Sequence, residues 1–121
     1  MAGSYFQHVP SLAAFHAQQM QKRDCIRSER LLVGLNCFSR GQTQRAHAHG
    51  AADKFYLVLS GKARITVGTE VREAGPGTLA WAPAGVSHAV DEALEDAVVL
   101  VVMAPPPRAE SRVETPSGPR D

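Results

Sequence analysis

The chain has 121 residues, of which 44% are hydrophobic and 21% charged, and its formal net charge is +1. That length corresponds to one domain, large enough to bury a core without help from disulfides. A balance so close to neutral argues against nucleic acid or an anionic membrane as a partner.

Residues 1–20 read as an N-terminal arm. Tyr5, Phe6, Val9, Leu12 and Phe15 are apolar, and Pro10 interrupts them. A strand or a short helix from Ser11 to Gln19 is expected here, with Ser11 as its cap, although so short a helix needs packing to hold it. The first eight residues lack a basic stretch followed by an apolar run, so they do not read as a signal peptide. A cytoplasmic location is the expectation. Cys25 and Cys37 are expected as buried thiols that pack like small hydrophobes. A bond between them would need a geometry that sequence does not carry.

Residues 21–104 are dense in strand signals. The segments 31–38, 55–59, 63–67 and 98–102 are rich in Val, Leu, Ile and Phe. Breakers separate them at 28–30, 60–62, 68–69 and 75–77. Short strands at this spacing predict a sandwich or barrel rather than alternating strands and helices. The longest apolar run, 97–104, has the length of a buried strand and falls far short of a membrane span. Beyond 104 the chain is rich in proline, with Pro105, Pro106, Pro107, Pro116 and Pro119, and an extended or disordered tail is expected past Pro106.

Histidines carry the chemical signal. His47 and His49 are two residues apart, so on a strand they share a face and can share an ion. His88 follows Pro83-Ala-Gly85-Val-Ser, a preset turn in apolar surroundings. If the strands around 46–50 and 87–90 lie side by side, three imidazoles converge. Such a set suits zinc, iron, nickel, copper or manganese. His8 and His16 belong to no pattern and read as structural or exposed.

The spacing of these residues resembles the cupin superfamily. Gly41, His47, His49 and Gly61 fall at the anchors of the family's first motif, G-x5-H-x-H-x(3,4)-E-x6-G. Gly77, Pro83, Gly85 and His88 fall at those of the second, G-x5-P-x-G-x2-H-x3-N. The resemblance implies an all-β fold: an antiparallel β-barrel, or jelly roll, of six to eight strands. It also implies one divalent transition metal held by His47, His49 and His88, and pairing into a homodimer that the apolar arm would serve. Gly61 and Gly85 sit where sharp turns favour positive φ.

Two positions depart from the motifs. Glu92 replaces the final asparagine, a change expected to matter little. Lys54 stands where the family's metal-binding glutamate belongs. Three readings compete. The metal binds to the three histidines while Lys54 swings away, or Asp53 serves as ligand, or the pocket binds no metal and takes a small anion through Lys54 and the histidines. Strand alternation disfavours Asp53, which should face away from Lys54. Lys54 and Tyr56 are the catalytic candidates, and Trp81 reads as core or pocket wall. The expected function is a small metal-binding cupin acting on a small organic molecule as a dioxygenase, isomerase or decarboxylase. The alternative is a non-catalytic cupin that binds a small ligand or a metal.

Overall fold

The computed structural model describes residues 4–48 and 50–106. His49 and the tail from residue 107 onward lie outside the described residues, and with them the expectation of a disordered tail. Nine strands are described: β1 Gln21–Arg27, β2 Leu32–Phe38, β3 Gln44–His47, β4 Asp53–Ser60, β5 Ala63–Val67, β6 Glu70–Ala74, β7 Leu79–Ala82, β8 His88–Ala93 and β9 Ala97–Ala104. They form two antiparallel sheets, ordered β1-β2-β9-β4-β7 and β3-β8-β5-β6, which face each other as a jelly roll.

Alternation sorts the side chains. Along β4, Lys54, Tyr56 and Val58 are buried, while the residues between them are half-buried. Tyr56 and Val58 join Phe38, Ile65, Val90, Val99 and Val101 in the main core between the sheets. Full burial of each large apolar side chain here contributes about 1.5–3 kcal/mol. All four strands expected from composition are present. β6 carries no period-two signal in the sequence: only Ala74 is buried, and Val71 is exposed.

The arm differs from one alternative expected of it. No α-helix forms over 11–19. A single 3-10 turn, Val9–Leu12, precedes an irregular stretch, with Pro10 in its first positions. Proline suits a first turn, but nothing extends the piece into a stable helix. Val9, Leu12 and Ala13 instead pack on the outer face of the five-stranded sheet, against Leu35, Cys37, Val98 and Cys25. The Gln7 side chain ties the arm down by donating to the Cys25 carbonyl at 2.9 Å. Both cysteines are free, Cys37 buried and Cys25 half-buried. Burial pushes both thiols above their ordinary value. Among the described residues no helix is long and apolar enough to cross a membrane.

Trp81 also departs from expectation. It is 53% exposed on β7. There it sits opposite Phe55, on the outward side of β4, so it lines neither core nor pocket.

Candidate metal centre

His47 and His88 are opposite each other in register on β3 and β8. A register shift between Gln44 and His47 marks an irregularity in β3. Residues three apart normally face opposite sides of a strand. The extra residue reverses that parity, so Gln44 is buried and His47 half-buried while Arg45 and Ala46 between them are exposed. Lys54 and Tyr56 come from β4 in the other sheet, which places the cluster between the two sheets.

Each imidazole is oriented by a backbone carbonyl. His47 Nδ1 lies 2.8 Å from the Arg45 oxygen, and His88 Nδ1 lies 3.1 Å from the Val86 oxygen. A carbonyl only accepts, so both Nδ1 atoms carry the proton and both Nε2 atoms present a lone pair when the rings are neutral. Those Nε2 atoms are 3.1 Å apart. Two lone pairs at that distance repel unless a cation lies against both. Tetrahedral zinc with bonds of about 2.0–2.1 Å would hold two ligand nitrogens about 3.3 Å apart, so the pair fits a shared ion. Burial holds His47 down to about 4, with Lys54 and Lys22 acting in the same direction. It is therefore neutral at physiological pH, the form a metal needs.

The turn before His88 explains its placement. Val86 N–H donates to the Pro83 oxygen at 3.0 Å, closing a four-residue turn. Gly85, third in that turn, has φ +84°, the conformation a type II turn requires there. Asp53 faces away from the site, as alternation predicts. It is exposed, and its Oδ1 accepts from the Ala84 N–H at 2.9 Å. The second reading of the substitution at position 54, with Asp53 as ligand, is thereby contradicted. The carboxylate holds the turn that carries the carbonyl that orients His88. Asp53→Ala should cost about 0.5–1.5 kcal/mol in chemical denaturation, the worth of one exposed hydrogen bond. A larger loss would mean that the turn depends on Asp53 more than this one bond implies.

Lys54 does not reach solvent. Only 1% of it is exposed, and its Nζ stands 3.5 Å from His88 Nε2 and 4.7 Å from the centre of the Tyr56 ring. Burial pulls the amine down to about 6, with Lys22 adding to the effect. Tyr56 packs edge-on to His88, with ring centres 5.9 Å apart. Its hydroxyl donates to Gln44 Oε1 at 3.2 Å, and burial pushes that hydroxyl above its ordinary value. Tyr56 is thus a buried donor rather than a poised acid. No motif position in the sequence marks Gln44, and its inward turn depends on the irregularity in β3. Glu92, at the second departure from the motifs, is on the outer surface, where Arg64 spans it and Glu73 at 3.4 Å each. Such exposed pairs contribute about 0–1 kcal/mol.

The fold and the paired histidines define a cupin, and comparison with known proteins agrees. The cupin domain family matches residues 35–104. The chain belongs to that family. It is 41% identical over 81 residues to the uncharacterized protein SCO3923 of Streptomyces coelicolor, covering 67% of this chain and 76% of the relative. Among solved structures, TT1209 from Thermus thermophilus superposes with a TM-score of 0.82 at 36% identity, covering 86% of this chain and all of that one. KdgF from a Halomonas species superposes at 0.75 with 24% identity, covering 91% and 99%, which speaks to the fold alone.

Proposed function

We propose that this cupin binds one divalent transition metal ion through the Nε2 atoms of His47 and His88, with His49 as the third histidine of the set. One observation carries the reading. Two imidazoles, each fixed by a backbone carbonyl, aim unprotonated Nε2 atoms at a common point, 3.1 Å from each other. A bound ion would supply Lewis-acid polarisation of a substrate oxygen, or dioxygen chemistry in the case of iron. The reaction classes this supports are those of a dioxygenase, isomerase or decarboxylase on a small organic molecule. A non-catalytic metal-binding module is the second reading. It is favoured by the way Tyr56, Phe38 and Gln44, all fully buried, fill the interior.

Metal titration of the stripped protein tests the proposal. Cobalt, zinc, manganese, nickel and ferrous ions should be compared by calorimetry, with elemental analysis for stoichiometry. One ion should bind per chain, and thermal stability should rise with metal concentration. An excess of about 100-fold over Kd contributes about 2.7 kcal/mol. His47→Ala and His88→Ala should each weaken binding at least about 100-fold, since loss of a ligand exceeds the 10–100-fold cost of losing its outer support. No stoichiometric ion in the wild type, or undiminished binding in both variants, would sink the proposal.

A further inference from the structure

We propose that Lys54 is itself a ligand of this ion, its Nζ occupying the coordination position that a carboxylate holds in the family's motif. The inference rests on the metal reading above and deepens it. Three features carry it: where the side chain lies, how its nitrogen is spaced from the imidazole, and what chemistry an amine offers there.

Lys54 is on the inward side of β4, 1% exposed, with its nitrogen in the cluster rather than at the surface. Lysine usually buries its stem and keeps its head in water. Here the head is delivered to the imidazoles. Its Nζ is 3.5 Å from His88 Nε2, and His88 Nε2 is 3.1 Å from His47 Nε2. The separation expected between nitrogens sharing a tetrahedral ion, about 3.3 Å, lies between these two values. The nitrogen that would repel an ion as an ammonium thus stands at the spacing of a ligand.

The chemistry balances without a redox change. The amine lone pair forms the bond to the metal. An ammonium would first give its proton to solvent, as other protonated ligands do on metal binding. The resulting centre carries nitrogen donors and a higher net charge than the glutamate version. It should favour borderline ions such as cobalt, nickel, copper or zinc over magnesium or calcium, which prefer oxygen. The metal thereby explains why a lysine is placed inside a barrel.

The test turns on the sign of an affinity change. Cobalt binding should be measured by its visible d–d absorption in the wild type, Lys54→Met and Lys54→Glu, with the fold of each checked by thermal melting. A thioether is too soft to replace the amine on cobalt. If Lys54 is a ligand, Lys54→Met weakens cobalt binding at least about 10-fold, and Lys54→Glu retains it. If Lys54 is only a nearby cation, removing its charge leaves affinity unchanged or tighter, and that result overturns the proposal while leaving the metal site standing. Binding by Lys54→Glu but not by the wild type overturns it too, and marks the lysine as a block. Failure of both to bind removes the metal reading itself. A second readout needs no variant. In nitrogen-labelled wild type, zinc should move the Lys54 Nζ resonance far more than that of Lys22, which feels the site only through its charge, and leave that of Lys62 in place. An unmoved Lys54 signal in the zinc-loaded protein refutes ligation.

Discussion

Gly61→Ala should destabilise the domain by about 3–5 kcal/mol, a large part of the 5–15 kcal/mol that holds a domain together. Two costs add. Gly61 has φ +78°, where an L side chain carries a penalty of about 1–2 kcal/mol. A methyl group there would also lie 2.0 Å from the Asp96 carbonyl oxygen and 2.7 Å from Ala97 Cα. Both obstacles are backbone, so no side chain can swing aside. The turn between β4 and β5 is anchored against the same loop, because Leu94 N–H and Glu95 N–H both donate to the Lys62 oxygen. Gly85→Ala is the control. It has a similar φ of +84°, yet nothing lies within 4 Å of where its methyl group would stand, so its loss should stay near the conformational term alone. Urea denaturation of the two variants separates strain from collision. Equal losses would show that the collision at Gly61 is relieved.

Lys54→Met should stabilise the metal-stripped protein by about 3–5 kcal/mol near neutral pH. The gain has a defined pH window. Burial lowers the amine from 10.5 to about 6 in the folded chain, so between those values the unfolded chain binds more protons than the folded one. Wild-type stability from this group therefore rises with pH across that window. The advantage of Lys54→Met is full at and below about pH 6 and vanishes as pH approaches 10.5. Denaturation curves of both proteins in a chelating buffer, over that range, read the difference directly. A constant gap across the window would show that the folded chain keeps the amine at its ordinary value. Such a stabilising variant at a candidate site is the usual sign of a residue retained for chemistry at the expense of the fold.

The barrel, and the placement of some candidate-site residues in it, were legible in the sequence, because strand alternation and turn chemistry are local. Gly61 and Gly85 both have positive φ, as their turns require, and His88 emerges from its preset turn into the interior. What stayed hidden depends on contacts between distant segments. The inward turn of Gln44 needs the irregularity in β3, whose position is set by pairing with β8. Of the three readings at position 54, the one in which Lys54 swings away does not hold, because Lys54 is on the inward side of β4 with 1% of its surface exposed. Hydrophobicity alone marks Trp81 as core or pocket wall. Its side is decided by pairing with Phe55, which no single segment records. The arm carried enough apolar residues for a helix, but those residues gain more by covering Leu35 and Cys37.

The irregularity that turns Gln44 and His47 inward has a second effect, on association. β3 is an edge strand, and an edge is a template for a stray strand from another molecule. At four residues, with its register broken, β3 offers no continuous ladder to copy. The opposite edge, β6, presents exposed Glu70, Arg72 and Glu73. In the other sheet β1 is charged and broken in register between Asp24 and Ile26, and β7 spans only four residues. The same break that shapes the histidine pair therefore also guards the sheet against edge-to-edge aggregation.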